Sequence, residues 1–251
     1  MGLIAERASL LKRYRQLRGT MRDLHSALLE TLSKDTLTRC GGKLGFMVDG
    51  TLVFESEDES SALIDYSLYE EWSEQHNAIS RYLAKQPYDP GSDEFMLLEG
   101  MSRARCSLFQ VESVAAGLGV NCRDLLRGDV GSIVDEGLGK TATLGVVFAC
   151  HLVVVPELSM TTGAALPIDG DTLVAIHGVL KGKAQEFGRP DRKHFTREEQ
   201  AEVASIIIRC ALRREPSSRL TNPAAGRRPS RNEACPCGSG RKFKRCCGRA
   251  S

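Results

Sequence analysis

Apolar residues spaced three and four positions apart predict a long amphipathic helix over residues 3–33. These residues share one helical face because 3.6 residues complete a turn. They are Leu10, Tyr14, Leu17, Met21, Leu24, Leu28 and Leu32. Basic residues between Arg7 and Arg22 occupy the remaining faces. The pattern favours a helix that packs on the body with a solvated basic side. A dimer-forming helix pair and an anion-binding face are the alternatives.

Helical periodicity also predicts four later helices, each bounded by a cap or a breaking residue. Pro87 and Pro90 end the first of them, and Thr196 begins the last with the capping-box pattern Thr-x-x-Glu. The four predicted helices cover 61–85, 93–105, 171–187 and 196–212.

Between the helical regions the hydrophobic pattern changes to short runs rich in Val, Leu and Phe, separated by glycine turns. Such runs are typical of antiparallel strands. The runs are 107–115, 120–126, 132–135, 143–155 and 164–168, and a short hairpin is predicted from 44–48 and 51–54. The pattern therefore predicts an α+β fold in which helices flank a small antiparallel sheet or barrel.

Length and composition divide the chain into a large body and a small C-terminal module. Within the body, 1–214, we expect helical structure over 1–105 and 169–214 and a β-rich region over 106–168. Residues 215–231, rich in Pro, Ser, Gly and Arg, are typical of a basic flexible linker, and 232–249 form the module. No apolar run approaches the ~20 residues that cross a bilayer, and the N-terminus lacks a secretory pattern, which predicts a cytoplasmic protein.

The net charge of +2 hides opposite charges on the two parts of the chain. From Arg209 to Ser251, twelve Lys or Arg residues stand against Glu215 and Glu233, a net charge of +10. Residues 1–208 hold 22 basic and 30 acidic residues, a net charge of −8. The basic segment either binds an anionic partner or folds back on its own acidic body.

Four of the nine cysteines lie in this tail, as Cys235-Pro236-Cys237 and the adjacent pair Cys246-Cys247. So short a segment cannot bury a hydrophobic core and must be held by another interaction. Zinc prefers four tetrahedral thiolate ligands in structural sites. A disulfide between adjacent cysteines is strained, and iron–sulfur motifs use other spacings. The spacing therefore predicts one structural Zn²⁺ ion.

The run from Cys235 to Gly248 resembles the SEC-C motif, the zinc-binding tail of the bacterial translocation ATPase SecA and of many unrelated proteins. The resemblance implies that Cys235, Cys237, Cys246 and Cys247 bind the zinc ion; many SEC-C tails end in Cys-His instead. In SecA the motif docks to the acidic chaperone SecB, which suggests an acidic protein partner here. The candidate partner-binding residues are Arg241, Lys242, Phe243, Lys244, Arg227, Arg228 and Arg231.

Phosphate-loop and thiol–imidazole chemistry are not supported in the body. Gly139-Lys140-Thr141 lacks the glycine that a phosphate-binding loop needs at position 134. Cys150 and His151 are neighbours in a predicted strand, so their side chains point to opposite faces. The remaining single cysteines are expected to be buried structural thiols.

The acidic residues Glu70, Glu71 and Glu74 fit the solvated face of the predicted helix 61–85.

Taken together, these patterns predict a non-enzymatic binding or adaptor protein that docks through its basic tail. The alternatives are an RNA- or ribosome-associated protein that uses the same tail, and an enzyme whose activity the body does not reveal.

Overall fold

The computed structural model of the protein describes residues 2–73, 75–188, 195–213 and Lys242. Nearly all of them belong to the first of two units into which the chain divides, Met1–Pro216. The helices in these ranges are α1 (Gly2–Leu29), α2 (Lys34–Leu44), α3 (Glu57–Tyr69), α4 (Ala78–Lys85), α5 (Asp93–Arg103), α6 (Glu136–Thr141), α7 (Gly170–Glu186) and α8 (Arg197–Ala211). The strands are β1 (Met47–Val48), β2 (Thr51–Leu52), β3 (Arg105–Ala115), β4 (Gly119–Asp124), β5 (Val130–Val134), β6 (Val147–Val154), β7 (Ser159–Thr161) and β8 (Leu166–Ile168).

The main sheet is antiparallel and curls on itself. Its strand order is β5-β4-β3-β6-β7, and β8 also pairs with β6. Strand β5 further contacts β7, so the two ends of the sheet approach each other and form a half-barrel. Strands β1 and β2 form a separate small hairpin. The predicted α+β class, with helices around a small antiparallel sheet, is confirmed.

The two faces of the curled sheet bury different cores because side chains alternate across a strand. Its convex face packs against helices, and α5 and α8 contact β6 and β3 respectively. Its concave face encloses a small core of its own. That inner core contains Phe109, Val111, Val120, Cys122, Ile133, Phe148 and Cys150.

Helix α1 buries the predicted apolar face, with Tyr14, Leu17 and Leu28 each at most 5% exposed. The sequence predicts that the basic side of α1 is solvated, but part of it is paired with acidic residues. Arg13 donates two hydrogen bonds to Asp93, at 2.7 and 2.6 Å. Charges on the helix are thus paired with acids of the body, which orients α1 on α5.

The predicted helix 61–85 is wrong in one respect, because it is interrupted and forms α3 and α4. Asn77 breaks it: its side-chain amide donates to the carbonyl of Tyr69, at 3.2 Å, and its Oδ1 caps the amide of Ser80 at 2.9 Å. Gln75, with φ of 70°, turns the chain between the two helices. Apolar spacing continues through the break, so periodicity alone does not reveal it.

Replacing Asn77 by alanine is expected to lower the free energy of unfolding by about 1–2 kcal/mol, because a helix cap and a buried hydrogen bond are both lost. Asn77 is fully buried. Urea unfolding followed by circular dichroism measures the change. Ser80→Ala should cost less, because it removes only the hydrogen bonds of the Ser80 hydroxyl, which accepts from the backbone N–H of Asn77 at 3.0 Å and donates to its carbonyl at 3.2 Å. Equal costs for the two variants would contradict a special role of Asn77.

Three short elements were not predicted, namely α2, α6 and β7. Gly41 and Gly42 suggest a turn in the sequence, yet both lie inside α2, where Gly41 packs closely against Leu52. The predicted strand 143–155 is shorter and begins at Val147, because Gly145 turns the chain with φ of 84°. Local patterns therefore place the elements but not their ends.

None of the helices in the described part of the chain combines the length and the apolar character that crossing a membrane requires.

Candidate functional site

The most unusual arrangement in the body is a buried histidine held between two carboxylates. His151 lies on β6, and its Nδ1 is 2.6 Å from Oδ2 of Asp65 on α3. Its Nε2 is 2.8 Å from Oε1 of Glu70, at the end of the same helix. The side chains of His151 and Glu70 are each 2% exposed. Two carboxylates of α3 and its C-terminal end thus form hydrogen bonds with both nitrogens of an imidazole from the sheet.

The two carboxylates stabilise the charged form of the ring. Burial alone would lower the pKa of His151, but the charge of Asp65 and the hydrogen bonds to Asp65 and Glu70 outweigh it. They raise the pKa of His151 to about 10. Both ring nitrogens then carry protons and donate, so the cluster is an imidazolium between two acceptors.

Further contacts hold the ring in place. The Tyr69 ring stacks on it, with centroids 4.9 Å apart and planes inclined by 23°. The Thr162 hydroxyl donates to Oδ2 of Asp65 at 3.2 Å, and the Tyr69 hydroxyl lies 2.8 Å from Nε2 of His25. These contacts join α1, α3 and β6 through one polar network.

Two of the three acidic residues expected on a solvated helix face, Glu70 and Glu71, do not lie on such a face. Glu70 is buried against His151. Glu71 accepts hydrogen bonds from Arg39, at 3.0 Å, and from Lys43, at 2.7 Å, both on α2. Burial raises the pKa of Glu71, but these two cations outweigh it and leave that pKa below its ordinary value. The third residue of the set, Glu74, lies outside the described residues.

The cysteines of the body are poor nucleophiles. Burial raises the pKa of Cys40 to about 11 and that of Cys122 to about 12, and it also raises the pKa of Cys106, Cys150 and Cys210. Since the thiolate is the reactive form, these side chains remain thiols near neutral pH. The prediction that Cys150 and His151 face opposite sides holds, because Cys150 packs in the inner core.

Metal ligands do not converge in the described part of the body. Within 2–73, 75–188 and 195–213, no three His, Cys, Asp or Glu side chains form a group that could hold a metal ion. Asp65 and Glu70 bind opposite nitrogens of His151, so their oxygens flank the ring instead of meeting at one point. The predicted zinc ligands Cys235, Cys237, Cys246 and Cys247 lie outside the described residues.

The predicted partner-binding residues lie there too, with one exception. Lys242 is described, and it is exposed. The others, Arg241, Phe243, Lys244, Arg227, Arg228 and Arg231, stay predictions.

Comparison with known families shows two matches, one within the acidic part of the chain and one within the basic part. A family model with the description "family of unknown function (DUF7986)" matches residues 8–195. The chain belongs to the DUF7986 family. The DUF7986 region contains Asp65, Glu70 and His151, and the match ends just before α8.

The second match is the SEC-C motif at residues 231–249, a zinc-binding type of motif. Curated relatives match the chain only in short segments. A protein translocase subunit SecA of Frankia casuarinae is 73% identical over 26 residues, which are 10% of this chain and 3% of that protein. Another SecA, of Nitratiruptor sp., is 41% identical over 54 residues, 21% of this chain and 6% of that protein. A UPF0225 protein of Enterobacter sp. is 76% identical over 25 residues, 9% of this chain and 16% of that protein.

The chain thus spans only a small part of the curated relatives it matches, and the SecA resemblance carries no motor domain with it. No solved structure matches the chain significantly. The similarities therefore identify the SEC-C motif and place the body in a family whose function is open.

Sequence reasoning missed the buried histidine cluster, although one signal was present. His151 interrupts an apolar strand, and a polar side chain in such a strand needs a buried partner. Which partner it finds depends on α3 packing against β6. Nothing in the local pattern around Asp65 or Glu70 indicates that contact.

Proposed function

We propose that this protein is a non-enzymatic adaptor in which a DUF7986 body is joined to a zinc-binding SEC-C module that docks to an acidic protein partner. The observation that carries the proposal is the SEC-C match at 231–249, which includes all four cysteines of the tail. The reducing cytoplasm suits the proposal, because zinc needs these thiols free of disulfides.

The donor set fits a structural zinc ion. Cys235, Cys237, Cys246 and Cys247 supply four thiolates, the ligand set of closed tetrahedral Zn²⁺ sites. When bound, the ion would hold the module together, since so short a segment has little apolar core. Four thiolates around Zn²⁺ leave a formal charge of −2, which the cations between the ligand pairs offset. Those cations are Arg241, Lys242, Lys244 and Arg245.

The cations outside the ligand loop are not needed to offset the charge of the zinc site, and we propose that they bind the partner. Arg227, Arg228 and Arg231 precede the module, and Phe243 supplies an aromatic anchor beside Lys242 and Lys244. A basic surface of this kind attracts an acidic protein and speeds its association. An acidic chaperone similar to SecB is one such partner.

The excess of positive charge also favours a second candidate, an RNA- or ribosome-associated role. The segment from Arg209 to Ser251 has a net charge of +10, and phosphate binding by Lys and Arg releases counterions. Binding to RNA would therefore weaken steeply as salt rises, with a slope set by the number of phosphates contacted. Binding to an acidic protein would weaken less steeply with salt, because no condensed counterions are released from such a partner.

The double variant Cys235→Ser/Cys237→Ser should lose its zinc, from one ion per chain to none, because two of four ligands are removed. Metal analysis of purified full-length protein measures this. Cys210→Ala is the matched control, since Cys210 lies in α8 of the body, and it should retain one zinc ion. One zinc ion in the double variant would refute the assignment of ligands.

The docking role is tested separately with the charge-reversal variant Arg227→Glu/Arg228→Glu/Arg231→Glu. Proteins captured from native lysate should be lost in this variant and in the zinc-free variant. Nuclease treatment and a salt titration distinguish RNA from a protein partner. An unchanged set of captured proteins would contradict docking through the tail, whatever the zinc content.

A further inference from the structure

The half-barrel opens to solvent through a cavity of about 290 Å³ between its two ends. Phe109 of β3, Ile133 of β5, and Leu152 and Val154 of β6 are among the residues that line it. Phe109 and Ile133 belong to the inner core of the sheet, so the cavity continues that core outward. Mouths of β-barrels are common ligand-binding places because their walls are apolar and already formed.

The rim of this cavity exposes apolar surface. Val130, at the start of β5, and Val154, at the end of β6, line the cavity and are each 56% exposed. An apolar group placed in the mouth would remove these side chains from water and gain roughly 25 cal/mol for each Å² that is buried. The exposed valines therefore fit the apolar part of a ligand.

Arginines line the same cavity, and they differ in the number of hydrogen bonds and ion pairs that they form with neighbouring residues. Arg127 donates to Asp124, at 3.1 Å, and to Gln200, at 2.7 Å, so it is engaged. Among the described residues, Arg103 forms only a 3.7 Å ion pair, with Glu99, and its side chain is 69% exposed. Such exposed pairs contribute little.

Arg105 has the fewest polar contacts of the three arginines that line the cavity, as far as the described residues show. It is exposed, and within the described ranges it makes no ion pair or side-chain hydrogen bond. It is paired with Leu152 of β6 in the sheet register, which places it beside the apolar lining. Arg103 and Arg105 also line a second, neighbouring cavity of about 170 Å³. Two exposed guanidinium groups thus lie next to an open apolar cavity.

We infer that the mouth of the half-barrel binds a small amphipathic organic anion. Its apolar group occupies the cavity against Leu152 and Val154, and its carboxylate or phosphate head binds Arg103 and Arg105. Guanidinium groups bind oxyanions through paired charge-assisted hydrogen bonds. The cavity lies at the lower end of the ~300–1,000 Å³ range of small-ligand sites. Asp129, an exposed carboxylate in the lining, favours a carboxylate head over a phosphate head, because a phosphate monoester carries nearly two negative charges at neutral pH.

Isothermal titration calorimetry of the full-length protein with octanoate, octyl phosphate and octanol tests this inference. We expect at least one of the two anions to bind about 10-fold or more tightly than octanol, because only the anions form charge-assisted hydrogen bonds with the guanidinium groups. The relative affinities of octanoate and octyl phosphate identify the preferred head. Methyl NMR shifts of Val130 and Val154, with Val174 as a remote reference, locate the ligand.

Two substitutions separate the charged and the apolar parts of the site. Arg105→Ala should reduce binding of the preferred anion about 10-fold and leave octanol within about 2-fold. Arg22→Ala, at another exposed arginine, is its control. Val154→Asp should weaken all three ligands, whereas Val174→Asp, at a valine 73% exposed on α7, should weaken none. All four positions are exposed, so folding is preserved.

The inference is overturned if none of the ligands binds at millimolar concentration, or if octanol binds as tightly as both anions. Equal losses in Arg105→Ala and Arg22→Ala would also refute it, because the effect would then reflect net charge and not the mouth.

Discussion

Replacing His151 by leucine is expected to lower the free energy of unfolding by about 3–5 kcal/mol at pH 7, because the change leaves buried carboxylates without their cation. Asp65 and Glu70 each lose a short hydrogen bond, of 2.6 and 2.8 Å respectively. Their side chains, 10% and 2% exposed, cannot recover those bonds from water. Urea unfolding followed by circular dichroism measures the loss.

The same cluster predicts how stability depends on pH. The pKa of His151 is about 10 in the fold, above the ordinary value of ~6.5 for an unfolded chain. A raised pKa means that the folded state binds the proton more tightly. The contribution of His151 is therefore complete below about pH 6.5 and is lost as the pH rises towards 10. In His151→Leu this loss of stability between pH 6.5 and 10 disappears, because the titrating ring is gone.

Two comparisons make the His151 result specific. His76→Ala, at an exposed histidine, should change stability by less than about 0.5 kcal/mol. The triple variant Asp65→Asn/Glu70→Gln/His151→Leu should cost less than the sum of its single changes, because no buried charge is left alone. A cost under about 1 kcal/mol for His151→Leu, together with stability that does not fall between pH 6.5 and 10, would show that the ring is not held as a cation.

Gly119→Ala is expected to destabilise the body by about 3 kcal/mol, at the upper end of the usual cost of overpacking. A β-carbon at Gly119 would overlap the carbonyl oxygen of Ile133 and lie 3.0 Å from the amide nitrogen of Asp135. Both obstacles are backbone atoms, so no side-chain rotation relieves the contact. Thermal or urea unfolding of the purified variant measures the effect.

Gly131→Ala is the matched control for this substitution. Gly131 also lies in a strand of the sheet, β5, and a β-carbon there would meet nothing within 4 Å. Alanine should be neutral or slightly stabilising at this position, since it loses less backbone entropy than glycine on folding. Similar losses at Gly119 and Gly131 would mean that strand propensity, and not the close approach of β4 to β5, sets the cost.

Much of the fold could be predicted from local periodicity. Helix α1 followed from apolar positions within one segment, and the antiparallel class of the sheet followed from short runs with glycine turns. The break between α3 and α4 could not be predicted, because the bond that helps end the helix joins Asn77 to the carbonyl of Tyr69. The glycines near 119 and 139 suggest only turns between strands, yet Gly139 lies in α6. The amide of Gly117 donates to the carbonyl of Gly139 at 2.8 Å, so α6 packs against the turn that precedes β4.

Local sequence patterns establish the secondary-structure class of this protein and its SEC-C motif, because both depend on residues close together in the chain. All four cysteines of the motif lie between positions 235 and 247, so their spacing could be interpreted without a fold. The position of His151 between Asp65 and Glu70, 86 and 81 positions away, depends instead on the folded chain. The same holds for the position of Arg105 beside an open apolar mouth. Side chains so distant in the chain are brought together by the packing of helices on a curled sheet. The spacing of residues along the sequence does not predict that packing.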